Sequence, residues 1–169
     1  MRKNGFSPII GNKPRVLILG SMPSEKSLAE QQYYAHPRNA FWPIMAKLFD
    51  FEPTLVYSAR ARQLIRHHVA VWDVIAACKR NGSLDSAIES DSIEPNDFIR
   101  LFSQYPTIEY ILFNGAKAAQ EYKRRVLPQA QQKYPELEYQ LLPSTSPANA
   151  GMSYQQKIAK WKVIVNFTK

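Results

Sequence analysis

The chain of 169 residues has one cysteine, Cys78, only three histidines, and no apolar run approaching a membrane span. A single thiol excludes an intramolecular disulfide, and it excludes a four-cysteine zinc site or iron–sulfur cluster built by this chain alone. His36, His67 and His68 leave little for a His-rich metal site. The longest apolar stretches fall far short of the about 20 residues that cross a bilayer. No apolar signal core follows the basic start, Met1-Arg2-Lys3-Asn4-Gly5, so a soluble cytoplasmic protein is expected rather than a secreted one. Acids are scarce as well: fourteen Asp and Glu stand against twenty-two Lys and Arg, a net charge of +8. What is present is 45% hydrophobic and 21% charged, the composition of an ordinary globular core. The length suits one domain over 1–169, and no repeat, low-complexity tract or Gly/Ser linker divides it.

The positive surplus favours a polyanionic partner, with a merely basic surface as the plain alternative. Its distribution is uneven. Residues 139–169 hold four lysines and no acid, whereas 81–99 hold Asp85, Glu89, Asp91, Glu94 and Asp97 and no base.

Hydrophobic patterning alternates strands with helices. Residues 15–19, Arg-Val-Leu-Ile-Leu, are a branched apolar run ended by Gly20 and read as a buried strand. Phe41, Ile44, Met45 and Leu48 fall at helical spacing, predicting a helix over 39–49 with Asn39 as its cap and Pro43 in its first turn. Further helices are predicted over 57–68, 94–104 (Pro95 near its start), 116–126 and 153–167, with Ile158, Trp161 and Val165 on one face of the last. Further strands are predicted over 69–72, 108–113 and 139–142. This alternation predicts a three-layer α/β/α sandwich around a four-stranded, mainly parallel sheet.

Open sheets of this class bind ligands beyond the carboxyl ends of their strands. Three loops lie there: 20–24 (Gly-Ser-Met-Pro-Ser), 114–115 (Asn-Gly) and 143–149 (Pro-Ser-Thr-Ser-Pro-Ala-Asn), with Asp73 following a fourth strand. None carries a phosphate-binding glycine pattern or a nucleophile elbow. Asp73 is the only carboxylate at their edge, too few for a two-metal nuclease. No cofactor and no metal is expected. The chemistry on offer is amide, hydroxyl and aromatic: Tyr33, Tyr34, His36, Asn39, Phe41 and Trp42 after the first strand, Ser144, Ser146 and Asn149 after the last. Aromatic faces stack on bases, and an Asn amide matches donor–acceptor pairs on a base edge. Phe41 and Trp42 also read as core.

Residues 20–24, then 34–42 (Tyr-Ala-His-Pro-Arg-Asn-Ala-Phe-Trp), then 142–149 (Leu-Pro-Ser-Thr-Ser-Pro-Ala-Asn) together resemble the motifs of the uracil-DNA glycosylase superfamily, in particular its hypoxanthine-DNA (deoxyinosine) glycosylase branch. The resemblance runs from about Pro14 to Trp161. It implies a monofunctional enzyme of base excision repair that flips a deaminated base, chiefly hypoxanthine, out of DNA and hydrolyses its N-glycosidic bond with water. A uracil or mismatch-specific glycosylase and a non-catalytic nucleic-acid-binding module are the alternatives. The implied partner is DNA containing deaminated bases, bound by a monomer at the nucleoid, with no membrane and no metal.

The resemblance also implies roles. In the mismatch-specific branch the first loop reads Gly-Ile-Asn-Pro-Gly and its Asn positions the attacking water; here Met22 stands in that place, and the role passes to Asn39. Tyr34 is expected to stack on the flipped base, while Gly20, Ser21, Met22 and Pro23 contact base or sugar through the backbone. Ser144 stands near the position of a His that assists the leaving base in the uracil-specific branch. Ser146, Pro147 and Asn149 are expected to face DNA, and Asp73 and Asn114 to read the base edge. The residues' own chemistry leaves plainer roles open: Asn39 and Asp73 as helix caps, and 144–149 as a Pro-fixed turn. Arg60, Arg62 and Arg66 read as a solvated helix face and Cys78 as a small buried hydrophobe.

Overall fold

In the computed structural model, which describes residues 1–169, the chain begins with β1 (Arg2–Asn4), β2 (Val16–Gly20), α1 (Glu25–Glu30), α2 (Phe41–Phe49), α3 (Tyr57–Arg66), β3 (Val69–Asp73) and β4 (Ile75–Lys79). There follow β5 (Glu94–Pro95), α4 (Phe98–Gln104), β6 (Tyr110–Asn114), α5 (Ala116–Arg125), α6 (Leu127–Lys133), β7 (Glu138–Leu142), α7 (Tyr154–Trp161) and α8 (Ile164–Phe167). Four strands form one parallel sheet in the order β3-β2-β6-β7. Central β2 is buried at every residue, as a parallel strand covered on both faces must be.

Side-chain alternation divides the core in two. Val16 and Ile18 face a cluster with Phe41, Ile44 and Met45 of α2, Leu64 of α3, and Trp161 and Ile164 of α7 and α8. Leu17 and Leu19 face the opposite cluster, with Phe98 and Phe102 of α4, Tyr122 of α5 and Ala130 of α6. The result is the three-layer α/β/α sandwich around a four-stranded parallel sheet. No helix is long and apolar enough to cross a membrane.

Three local expectations need correction. A second, three-stranded antiparallel sheet, β1-β4-β5, is added beside the first. Its central strand, β4, begins one residue after β3, because Val74 turns the chain out of the parallel sheet. The helix expected over 94–104 starts later. Residues 94 and 95 pair with β4, and Asp97 caps α4 by accepting the Arg100 N–H at 3.1 Å. Pro95 lacks a donor and sits on a two-residue strand at the sheet's edge, where none is needed. The helix expected over 153–167 is two helices parted at Lys162 and Val163, where the backbone stays right-handed but the bonds tighten to i→i+3, Val165 N–H to the Lys162 carbonyl and Asn166 N–H to the Val163 carbonyl.

The fold brings the last residues of adjacent strands into one row. Gly20 pairs with Asp73 and Asn114 with Leu142, and the Leu19–Phe113 pair sets Gly20 beside Asn114. All four are in phase with Ile18 and project to the α2 side.

Candidate active site

Gly20 is the gap in that row. A Cβ there would lie 2.6 Å from Asp73 Oδ1 and 3.0 Å from the Tyr34 hydroxyl, so only glycine fits. Tyr34 reaches this point from the 31–40 loop through a left-handed backbone, φ 55°. Its ring stacks on Phe41, centroids 4.1 Å apart and planes 20° apart. One ring face is therefore committed to the core. Phe41 and Trp42 are themselves buried in the core.

Two buried oxygens here have no hydrogen-bond partner: Tyr34 Oη and Asp73 Oδ2. The hydroxyl points toward the Asn114 amide without completing a bond. Unpaired buried polar atoms are costly and rare in folded proteins. Burial pushes the Asp73 carboxyl up to about 7, the negative charge of Asp85 adds to the rise, and Arg80 opposes it. The Tyr34 phenol is raised by the same desolvation, with Asp73 adding to it. No helix starts at Asp73, which passes through Val74 into β4, so its capping role is excluded.

Asn114 is bound on both amide atoms: Nδ2 donates to Thr145 Oγ1 and Oδ1 accepts the Thr145 N–H, each at 2.9 Å. This joins β6 to the 143–149 loop. That loop is otherwise held by its own short bonds. Ser144 Oγ accepts the Ser146 N–H, Ser146 Oγ accepts the Ala148 N–H, and Asn149 Nδ2 donates to the Ser144 carbonyl. Pro147 is half-buried within the turn. Gly115, at φ 98°, brings the backbone to within 3.0 Å of Ser144 Cβ, measured from where its own Cβ would stand. Beneath the loop the buried Lys157 ammonium donates to the Ser146 carbonyl at 3.2 Å, and desolvation lowers its pKa.

Asn39 lies against this loop, since the neighbouring Ala40 N–H donates to the Thr145 carbonyl at 3.0 Å. Its Oδ1 accepts the N–H of Phe41, the first residue of α2, at 2.9 Å, and so caps the helix from two residues ahead of it. Nδ2 makes no bond within the protein, which leaves the amide with donors to spare.

Met22 turns its side chain away into a small cluster with Ile75, Cys78, Ile88 and Ile93, so only its backbone faces the site. The N–H groups of Ser21 and Met22 donate to no protein acceptor. Arg60 covers the rings of Trp42 and Tyr57, at 4.9 and 5.7 Å, a packing role rather than a free basic face. A cavity of about 420 Å³, lined by Phe6, Ser7, Ile9, Tyr33 and Tyr57 among others, contains none of the row's residues. No three His, Cys, Asp or Glu side chains gather where one cation could be held.

The motif residues thus converge from four elements on the carboxyl edge of the sheet. A family profile described as the Uracil DNA glycosylase superfamily matches residues 8–167, nearly the whole chain. The chain belongs to the uracil DNA glycosylase superfamily. Within it, the chain is 33% identical over 165 residues to a hypoxanthine DNA glycosylase of Methanosarcina acetivorans, covering 97% of this chain and 98% of that one. It is 36% identical over 121 residues to a hypoxanthine DNA glycosylase of Methanosarcina barkeri, covering 71% and 75% of the two chains. A solution NMR structure from M. acetivorans, provisionally assigned as a uracil DNA glycosylase, superposes with a TM-score of 0.82 at 32% identity over 99% of both chains.

Three contributors carry no readable motif signal of their own: Thr145, which locks Asn114; Lys157, which supports the 143–149 loop; and Arg80, buried near the 20–24 loop. Thr145 lies inside the third motif among turn residues, and its burial sets it apart from them. The two cations are long basic residues in a basic chain, and sequence alone places such residues at the surface.

Proposed function

We propose that this superfamily member is a monofunctional DNA glycosylase that hydrolyses the N-glycosidic bond of a flipped deaminated base, chiefly hypoxanthine. The single domain over 1–169 acts as a monomer on DNA. The observation that carries the reading is the pair of unpaired buried oxygens, Tyr34 Oη and Asp73 Oδ2, beside the gap at Gly20. A site that leaves polar capacity unspent is built to spend it on a ligand. A neutral carboxyl both donates and accepts, which matches the adjacent N–H and C=O of hypoxanthine. The hypoxanthine activity of the two curated relatives supports the same choice.

Bond cleavage leaves negative charge on the base and oxocarbenium character on the sugar. The free N–H groups of Ser21 and Met22 are the donors for the first. Asn39 holds the water: Nδ2 donates to it, and the second lone pair of Oδ1 accepts from it while the first stays on Phe41. The exposed face of Tyr34 stacks on the extruded base, with Phe41 fixing the ring from behind. Asp73 and Asn114 read the base edge, Ser144 assists at the leaving base, and Ser146, Pro147 and Asn149 contact the flanking DNA.

A panel of duplexes containing deoxyinosine, uracil, xanthine or mismatched thymine tests this, read as abasic sites after alkali. Deoxyinosine should react fastest. Faster uracil release would move the protein to the uracil reading that the NMR relative's assignment favours. No cleavage of any member would leave a non-catalytic binding module.

A further inference from the structure

The Val74 and Ile75 N–H groups donate to the Gly20 and Ser21 carbonyls where the 20–25 loop leaves the sheet, and the side chains that hold the rest of it come from a stretch that no motif marks. Residues 80–85, Arg-Asn-Gly-Ser-Leu-Asp, leave the end of β4 and lie along that loop. Arg80 is 1% exposed; its Nη2 donates to the Pro23 carbonyl and its Nε to the Gly82 carbonyl, while Nη1 is buried without a partner. Ser83 Oγ accepts the Glu25 N–H at 2.8 Å. Asp85 Oδ1 accepts the Ser21 hydroxyl at 2.6 Å. Lys3 closes the assembly from β1, donating to the Gly82 carbonyl at 2.9 Å and to Glu25 Oε1 at 3.1 Å.

The grip falls on alternate residues of the loop, Ser21, Pro23 and Glu25. It leaves the N–H groups of Ser21 and Met22 free, which are the donors that face the reaction. The loop needs an external hold, because its segment ahead of α1 makes no hydrogen bonds between its own backbone groups. A guanidinium taken out of water without a carboxylate partner is costly, and burial lowers the Arg80 pKa accordingly; its two carbonyl bonds, to Pro23 and Gly82, are what it holds there.

We propose that Arg80, Ser83 and Asp85 form a clamp that positions the 20–25 loop for excision, with Arg80 as its central positioning residue. The clamp deepens the glycosylase reading and rests on it for its effect on rate, whereas its effect on the loop does not. It also carries two opposite charges that face Asp73, together with the phenols of Tyr33, Tyr34 and Tyr57 from the other side of the site. Asp85 raises the Asp73 pKa and Arg80 lowers it. Neutralising Asp85 should therefore move any pH limb due to Asp73 to lower pH, and neutralising Arg80 to higher pH.

The test compares wild type with Arg80→Met, Arg80→Lys and the double variant Ser83→Ala/Asp85→Asn. Three quantities are read: single-turnover excision from a deoxyinosine duplex, affinity for that duplex, and amide hydrogen exchange. Arg80→Met and the double variant should each lose about tenfold or more in excision rate, with affinity within about threefold, since misplacement of reacting groups acts on rate. In both, the amides of Glu25 and Ser27, bonded to Ser83 Oγ and Ser24 Oγ at the end of the loop, should exchange faster while those of β2 stay protected. Arg80→Lys keeps the charge and can make one of the two carbonyl bonds, and should recover part of the rate.

Excision and loop exchange both within twofold of wild type in the double variant would overturn the clamp. Faster exchange spread evenly through β2 would also overturn it, by showing general loss of stability. Should Arg80→Met fail to fold, the double variant decides, because both its substitutions are at exposed positions. A wild-type protein inactive on every damaged base would refute the glycosylase reading instead, and the exchange arm would still judge the clamp.

Discussion

Asn114 and Thr145 hold each other by two hydrogen bonds of 2.9 Å, the Asn114 amide donating to Thr145 Oγ1 and accepting the Thr145 N–H. The pair is a bridge between the last residue of β6 and a loop 31 residues further on, with Thr145 only 1% exposed. It fixes the plane of the amide. An Asn left free would turn to suit either edge of a base, whereas this one presents a fixed remaining donor and acceptor.

Replacing Thr145 by Val keeps the shape and the backbone N–H but leaves Asn114 Nδ2 unpaired. The expected loss of stability is about 0.5–1.5 kcal/mol, the net worth of one hydrogen bond, since Asn114 is half-buried. Chemical denaturation measures it. Excision should fall by more than the folded fraction does, because the amide is then held by one bond instead of two. Activity tracking folded protein alone would make the bridge purely structural.

Asn39 carries two tasks that substitutions can separate. Asn39→Ala removes both the acceptor for the Phe41 N–H and the amide donors, and should cost about 1 kcal/mol of stability, as a lost cap does. Single-turnover excision should drop at least about tenfold while DNA affinity persists, consistent with loss of a group positioned on the water. Asn39→Asp retains the acceptor and should restore the stability without restoring the rate. Full activity in that variant would return Asn39 to capping alone.

Much of the fold is legible in the sequence because it rests on local pattern. The runs around Val16 and Ile111 are continuous and branched, as strands buried on both faces are. The second sheet is not legible. β4 reads Ile-Ala-Ala-Cys-Lys, with no alternation, follows β3 after one residue, and pairs with residues 2–4 from the far end of the sequence. At the site, Tyr34, Asn39 and Gly20 are marked by their motifs. What the motifs omit is support. Asp85 stands out in the sequence only as part of an acidic stretch, and its bond to Ser21 exists because β4 folds the chain back. Arg80 carries full charge, and nothing local announces its burial.

Gly20→Ala should be the most damaging small substitution at the site. The added methyl would meet Asp73 Oδ1 at 2.6 Å and Tyr34 Oη at 3.0 Å, so both unpaired groups must move. Excision should be lost by about a hundredfold or more, as sub-ångström positioning is lost. Because the neighbours are a strand-borne carboxyl and a stacked ring, thermal stability should fall as well. Activity near wild type would show that these groups take no part in the chemistry.

Asp73 ties acidity to both stability and rate. Its folded pKa of about 7 lies above the ordinary value of 3.8, so the folded chain keeps the proton that the unfolded chain has already released. Stability from this group is complete below the unfolded value and drains away as pH rises from about 4 through about 7. Asp73→Asn has no proton to lose. The stability of that variant relative to wild type should therefore be more favourable at pH 8 than at pH 5, measured by denaturation at both. The same titration should appear in the chemistry. If the neutral carboxyl engages the base, wild-type excision of hypoxanthine declines above about pH 7, and the Asn variant, which still donates and accepts, shows no such limb. Parallel pH profiles for the two proteins would remove Asp73 from the reaction, and an unchanged stability difference would show that it ionises freely.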